Sequence, residues 1–287
     1  MGYKKPKKYL HREFLYLNSE TIINSLSALE AGKIDEIIQK ANEAREGGFG
    51  ASVGVSPVEA GGGKRKAFTI EEEMVRTRTV FSAFDAWYRY LSDADAIGTF
   101  DEWDAKVRDA LSVGDTIEFE GRITLTPVHL MIRTFISFAQ QAERADSVFH
   151  QTGSELAETR KMARMMKEWL GGKDASQHLP VYMAPFESDE PRLIARLDEG
   201  NLLSPREGIN GVYKVIAQVE EILRDGDEVS AIRIVRDVPP TPMETTAIAE
   251  ALTNFIEPAS NLGVALTASD ISLPYPAVLV RPIAIYR

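Results

Sequence analysis

The chain has 287 residues, no cysteine, 44 % hydrophobic and 26 % charged residues, and a formal net charge of −10 at pH 7. This length predicts one large domain or two closely packed halves, and the absence of cysteine excludes disulfides, thiol nucleophiles and cysteine-ligated metal sites. The acidic balance makes nucleic acid an unlikely partner, because contacts to phosphates need a basic surface.

The first eleven residues, 1–11, predict a basic flexible arm that contains Lys4, Lys5, Lys7 and Lys8. No apolar signal-peptide core follows them, and no stretch of the chain is long enough to span a bilayer. We therefore expect a cytoplasmic protein without a transmembrane segment. Each lysine near an anionic membrane contributes about 1 kcal/mol, so transient membrane contact stays open as an alternative.

Alternation of apolar and polar side chains over residues 12–18 predicts a strand that is buried on both faces, followed by a helix capped by Asn18 or Ser19. Pro127 stands at a plausible first helical position. The elements predicted after the first helix are, in chain order, a helix over 69–92, a helix over 100–111, a strand over 114–125, and helices over 126–149 and 154–170.

The second half of the chain repeats this order of parts. Residues 179–203 predict a strand, a turn and a short helix, and residues 211–235 predict a β-hairpin around Asp225-Gly226. A helix follows from residue 241 with Pro258 beyond its end, and residues 276–287 predict a closing strand in which Pro282 indicates an edge or a bulge. We expect Val278, Val280, Ile283 and Ile285 to be buried.

These elements predict an α+β fold made of two related strand-and-helix units, with antiparallel sheets packed against helices. The first unit covers residues 12–175 and contains a glycine-rich loop at 47–64. The second unit covers residues 176–287 and packs on the first, so that both halves share one sheet system.

The glycine-rich stretch at residues 45–66 holds seven of the twenty glycines. It does not match a phosphate-binding loop, because Arg65 follows Gly63-Lys64 where that motif has Ser or Thr. Its composition predicts a flexible tether. The residues that would contact a membrane or partner, if a trigger orders this loop, are Phe49, Val53, Val55, Lys64 and Arg65.

Histidines and carboxylates predict no catalytic or metal site. His11, His129, His150 and His178 are scattered without metal-ligand spacing, and each acidic cluster stands at a predicted helix start, where carboxylates favour the helix dipole. The apolar face of Met162, Met165, Met166 and Trp169 is more typical of core packing than of a binding surface. We assign no catalytic residue, metal or cofactor, although two carboxylates distant in sequence can still meet in space.

Four stretches together resemble one known family: "REFLYLNSETIINSL", "GDTIEFEGRI", "YKVIAQVEEIL" and the terminal "RPIAIYR". They are similar to a bacterial family catalogued as domain-of-unknown-function family 6414, whose variable low-complexity insertion resembles the glycine-rich stretch around residues 61–63. The resemblance implies an intracellular prokaryotic protein of unknown activity. It supplies no catalytic residues.

The leading hypothesis is therefore a non-enzymatic intracellular binding or regulatory module for a protein or small-molecule partner. The competing hypothesis is a small-molecule or nucleotide sensor, or a hydrolase, that uses carboxylates in the groove between the two predicted units. Homo-oligomer formation stays open in both.

Overall fold

The structure is a computed structural model that describes residues 12–30, 79–170, 178–185, 193–205, 209–235 and 240–287. The chain divides into two compact units. One unit comprises Met1–Leu17 and Ile97–Arg287, and the other comprises Asn18–Ala96.

Strands and helices alternate along the described chain. The strands are β1 (Phe14–Leu17), β2 (Gly98–Thr99), β3 (Thr116–Leu125), β4 (His178–Pro185), β5 (Leu193–Asp198), β6 (Gly211–Ile222), β7 (Glu228–Ser230), β8 (Ser272–Pro274) and β9 (Val278–Tyr286). The helices are α1 (residues 19–30), α2 (Val80–Asp93), α3 (Ala105–Ala110), α4 (Pro127–Ala142), α5 (Gly153–Trp169), α6 (Ala231–Val235), α7 (Pro242–Thr253), α8 (Ile256–Asn261) and α9 (Ala268–Ile271).

Five strands of the larger unit close into a barrel. Going round the ring, β3 pairs with β4, β4 with β5, β5 with β9, β9 with β6, and β6 again with β3. All of these pairs are antiparallel except β5–β9. The third and fifth barrel strands in chain order are therefore parallel neighbours, which is the connectivity of the Greek-key barrels called OB folds. β1 adds to β9, and the short β2 adds in parallel to β3.

Gly121 allows β3 to belong to both sides of the barrel. Thr116–Ile123 pair with β6, whereas Gly121–Leu125 pair with β4. A Cβ atom at position 121 would lie 2.5 Å from the carbonyl oxygen of Ala184. Real Cβ atoms do not approach an oxygen so closely, so glycine permits the close approach of two backbones at this turn of the barrel.

Apolar side chains fill the barrel interior. They alternate along each strand with outward side chains, as closure of a small barrel requires. The interior residues are Ile117, Phe119, Ile123, Leu179, Val181, Met183, Leu193, Ala195, Leu197, Tyr213, Val215, Ala217, Val219, Val278, Val280 and Ile285. The register shifts where Pro282 pairs with Ala217, so the missing N–H of the proline falls at a bulge.

A helical layer comes from two long connections between barrel strands. The β3–β4 connection contributes α4 and α5, and the β6–β9 connection contributes α6 to α9. Both share a second core, whose buried members are Val128, Met131, Ile132, Met166, Trp169, Ala231, Ile232, Ile248, Leu252, Ala259, Val264, Leu266 and Ile271. The predicted core role of the Met162–Trp169 face is confirmed, since Met166 and Trp169 are buried and Met162 and Met165 pack against this core.

The outer face of β4 and β5 is covered by the β6–β9 connection. Tyr182 and Ile194 are opposite each other in the β4–β5 ladder and point away from the interior. They are buried in a third cluster, whose other members are Leu223, Val229, Ile234, Leu273 and Ala277. In OB folds this face of the second and third strands is the common ligand-binding surface, and here the chain itself occupies it.

The smaller unit is helical in its described part. The Asn18 side chain accepts a hydrogen bond from the Thr21 amide at 3.0 Å, so the predicted cap of α1 is confirmed. The buried side chains are Ile22, Leu26, Ala83, Phe84 and Trp87. The first part of the helix predicted over 69–92 lies outside the described residues, and α2 forms its second part.

The predicted hairpin over residues 211–235 is wrong. A turn does form at Asp225-Gly226, with Gly226 at φ +86°. However, β7 pairs with β8 in a separate two-stranded sheet, and α6 follows it. β6 is already paired on both edges, with β3 and β9, so it has no free edge for a hairpin partner.

Three helix predictions also need correction. The short helix expected within 179–203 is largely strand β5, followed by a single 3-10 turn at Glu199–Asn201. The helix expected over 126–149 begins at Pro127 as predicted but ends at Ala142. Pro258 lies inside α8 rather than beyond a helix end. It is the third residue of that helix, where an N–H would have no intrahelical partner.

The predicted α+β class is confirmed, and so is the shared sheet, because β3 from the first predicted half pairs with β4 and β6 from the second. The sheet is mixed rather than antiparallel, since β2–β3 and β5–β9 are parallel. Burial of Val278, Val280, Ile283 and Ile285 is confirmed. The relationship between residues 12–175 and 176–287 by duplication stays a prediction.

Candidate functional site

The residues named from the sequence as a conditional contact surface lie outside the described residues. They are Phe49, Val53, Val55, Lys64 and Arg65 of the glycine-rich loop, and Lys4, Lys5, Lys7 and Lys8 of the basic arm. Their role stays a prediction.

The histidines of the described chain do not come together in a metal-binding group. His129 is buried in the first turn of α4, His178 is half-buried at the start of β4, and His150 is exposed. Within the described ranges, no three His, Asp or Glu side chains are placed to hold a metal ion. Thr126, just before α4, is buried with its hydroxyl bonded to no described residue.

A tyrosine–carboxylate pair links the barrel to α9. The Tyr182 hydroxyl on the outer face of β4 donates to Oδ1 of Asp270 at 3.4 Å. The other oxygen, Oδ2, accepts from the amide and hydroxyl of Thr267 and caps α9. Burial raises the pKa of Tyr182 far above its usual value, and the negative charge of Asp270 adds to this rise. The neutral phenol therefore acts as a fixed hydrogen-bond donor.

The predicted capping role of acidic clusters is tested at one of them. Oδ1 of Asp104, in the segment "DEWD", accepts from the Val107 amide at 2.8 Å and caps α3. The capping prediction is confirmed there, while residues 71–73 and 187–191 lie outside the described residues.

Positive side chains from distant parts of the sequence meet at one end of the barrel. We call Arg12, Arg122, Lys214 and Arg287 the cationic patch; all four are exposed. Arg122 lies opposite Val212 in the β3–β6 ladder. Lys214 lies two residues further along β6.

Tyrosine rings hold two of the guanidinium groups of the patch. The Arg287 guanidinium lies 4.3 Å from the centre of the Tyr213 ring, and that of Arg12 lies 5.3 Å from the centre of the Tyr286 ring. Nε of Arg287 also donates to the Val212 carbonyl at 3.2 Å. Stacking on a ring face leaves the in-plane N–H groups of a guanidinium directed outward, where an anion can accept from them.

Carboxylates also lie near the cationic patch. The Tyr286 hydroxyl donates to Oε1 of Glu118 at 3.1 Å, so that carboxylate already has a partner. Glu120 is opposite Lys214 in the β3–β6 register and is exposed. No carboxylate of the described chain forms an ion pair with Arg122, Lys214 or Arg287. The patch can therefore attract an anion on the surface of an acidic protein.

Sequence reasoning missed the cationic patch because its members have no shared motif. They come from the residue before β1, from β3, from β6 and from the residue after β9. Only closure of the barrel makes them neighbours. One usable signal was that Arg122, Lys214 and Arg287 each alternate with or follow apolar strand residues, which places cations on an outward face.

The turn between α4 and α5, which we call the hairpin tip (residues 143–152), presents a second kind of surface. Val148 is 93 % exposed and Phe149 is 54 % exposed. The ring of Phe149 packs against that of Phe138. The Gln151 amide donates to the Ala142 carbonyl at 3.0 Å, which fixes the end of the turn.

The cationic patch is the better candidate for recognition, because its chemistry specifies an anionic ligand. No helix in the described ranges is long and apolar enough to cross a membrane. No curated protein and no solved structure is significantly similar to this chain. One family model, described as "Domain of unknown function (DUF6414)", matches residues 11–286, which is nearly the whole chain. The chain therefore belongs to this family of unknown function, as its sequence resemblance predicted.

Proposed function

We propose that this protein is a non-enzymatic binding or regulatory module that recognises an anionic partner through the cationic patch. The observation that carries the proposal is the group of exposed cations at the barrel end, two of them held on tyrosine rings. An acidic chain gains nothing in solubility from clustering cations, so a role in recognition accounts for them better.

The two surfaces that an OB-type barrel offers for other chemistry support the same proposal. The interior is filled with apolar side chains, and the outer face of β4 and β5 is covered by the chain's own β6–β9 connection. An extended oligonucleotide would need that covered face. We therefore favour a compact anion over a nucleic acid as the ligand.

The competing hypothesis placed catalytic carboxylates in a groove between residues 12–175 and 176–287. Main-chain hydrogen bonds of β3 with β4 and β6 occupy that boundary within the barrel. This favours binding over hydrolysis. A cytoplasmic location, a protein or small-molecule partner, homo-oligomer formation and transient membrane contact of the basic arm belong to the proposal as sequence-based expectations.

The test is a thermal-shift scan of nucleotides, phosphate esters, carboxylates and metal ions, combined with product analysis of every ligand that stabilises the protein. A ligand at 100 times its dissociation constant adds about 2.7 kcal/mol to the unfolding free energy. We expect stabilisation by anions without any product. Turnover of a stabilising ligand by the purified protein would contradict a non-enzymatic function.

A further inference from the structure

We propose that Arg122, Lys214 and Arg287 together form a binding site for a phosphate group. This inference rests on the proposed function and names the ligand chemistry of the same patch. Free phosphate compounds and phosphorylated lipid headgroups share that chemistry, and the experiment below separates them.

Val212 is the common neighbour of the three cations. Arg122 is its cross-strand partner, and such partners have Cα atoms about 4.5–5.5 Å apart. Lys214 lies two residues along the same strand and on the same face, about 7 Å away. Nε of Arg287 reaches the Val212 carbonyl at 3.2 Å. The backbone thus brings three cationic side chains within reach of one small anion.

The hydrogen-bonding capacity of these side chains is largely unused. Nε of Arg287 is occupied by the Val212 carbonyl, while its two terminal nitrogens donate to no other described residue. Arg122 and Lys214 form no side-chain hydrogen bond within the described ranges. Other exposed arginines of the protein are engaged with carboxylates, as in Arg144–Asp146 and Arg233–Glu221, at 2.9 Å and 2.8 Å.

The number of cations fits a phosphate better than a carboxylate. A phosphate monoester carries a charge of about −1.5 to −2 and has three strong acceptor oxygens. Planar guanidinium groups match two of these oxygens at once, and an ammonium adds a point charge. A carboxylate has one charge and two oxygens, which would leave one of the three cations without a partner.

The test compares two triple variants with equal change in net charge. The site variant is Arg122→Gln/Lys214→Gln/Arg287→Gln. The matched control is Arg133→Gln/Arg164→Gln/Lys167→Gln, whose targets are exposed cations on α4 and α5. Inorganic pyrophosphate is titrated calorimetrically into each full-length protein, and each is sedimented with phosphatidylcholine vesicles with and without phosphatidylinositol phosphate.

We expect the site variant to weaken binding by roughly tenfold or more, because each lost charged hydrogen bond contributes about 1.5–3 kcal/mol. The control should bind like the unsubstituted protein. Weakened pyrophosphate binding identifies a free phosphate compound as the ligand. An effect confined to the vesicles that carry phosphatidylinositol phosphate identifies a lipid headgroup. Both results support the site, provided that the melting temperatures of the two variants agree.

Three results would overturn the site: no binding of either probe, equal weakening in the control variant, or unchanged binding in the site variant. If a different anion from the thermal-shift scan binds and the site variant still binds it, the phosphate site fails while the binding function stands. Release of phosphate from pyrophosphate by the unsubstituted protein, but not by the site variant, would support the site and contradict the non-enzymatic function. A site variant that melts earlier is replaced by the single variant Arg122→Gln, whose side chain contacts no described ring.

Discussion

The barrel interior and the hairpin tip use similar side chains in opposite ways. Ile123 in the barrel has no exposed surface, whereas Val148 at the tip is 93 % exposed. Both are β-branched apolar residues, so composition alone does not separate them. The difference shows that burial here follows from closure of the strand ring, and that the stability of the larger unit depends on the barrel and little on the tip.

The largest expected effect comes from truncation inside the barrel. Ile123→Ala should lower the unfolding free energy by about 2–5 kcal/mol, because it removes buried surface and leaves a cavity. Chemical denaturation measures this change. Ile123→Val is the graded control and should cost about 0.5–1.5 kcal/mol. An Ile123→Ala variant as stable as the unsubstituted protein would show that the barrel interior is not the main core.

The next effect concerns the closure itself. Gly121→Ala should cost about 1–3 kcal/mol, because its Cβ would meet the Ala184 carbonyl and force β3 away from β4. Thermal melting measures the loss. Gly98→Ala in β2 is the matched control, since its Cβ would have only ordinary contacts at 3.8 Å and beyond. Equal melting temperatures for the two variants would mean that β3 and β4 are not so closely apposed.

A smaller effect is expected where the barrel meets α9. Tyr182→Phe removes the hydrogen bond to Asp270 and should cost about 1 kcal/mol at neutral pH. Urea denaturation of the two proteins measures the difference. A more stable Tyr182→Phe variant would contradict a stabilising role for this bond.

The raised pKa of Tyr182 also predicts a pH dependence. A folded-state pKa above the unfolded value of about 10 means that the stabilisation is complete below pH 10 and falls as the pH rises further. The unfolded state then loses its proton while the folded state keeps it. The unsubstituted protein should therefore lose stability above pH 10 more steeply than Tyr182→Phe, by about 1.4 kcal/mol per pH unit. Parallel curves would rule out this source of alkaline sensitivity.

The smallest effect is expected at the hairpin tip. Val148→Ser should change the unfolding free energy by less than about 0.5 kcal/mol, because the side chain is already in water. Differential scanning calorimetry can bound so small a change. A loss comparable to that of Ile123→Val would show that the tip is covered in the folded protein and would break the contrast with the barrel.

Local signals in the sequence predicted single elements well. Pro127 marked the start of α4, Asn18 the cap of α1, and Pro282 a bulge in the last strand. Each signal acts within a few residues, through backbone geometry or a missing N–H group. The same reasoning failed for residues 228–235, because a hairpin requires a free edge on β6 and that edge is taken by strands far away in the chain.

The candidate site was still less accessible to sequence reasoning. Arg122 and Lys214 look like ordinary outward residues of two strands, and Arg287 like a solvated terminal residue. Their proximity depends on the β3–β6 register and on the Tyr213 ring that holds one guanidinium. The loop and arm residues that composition did single out, such as Phe49 and Lys4, lie outside the described part of the structure.

The sequence by itself determined the α+β class, the family, the alternation of inner and outer side chains and several helix starts, because these depend on short-range geometry and on the amount of apolar surface. Only the tertiary structure decided which strands are neighbours, and with them the filled barrel, the covered face of β4 and β5, and the cationic patch. The physical reason is that a strand can satisfy its main-chain hydrogen bonds with any compatible edge. The choice is made when distant segments close a ring that leaves none of the barrel strands with a free edge where they pair.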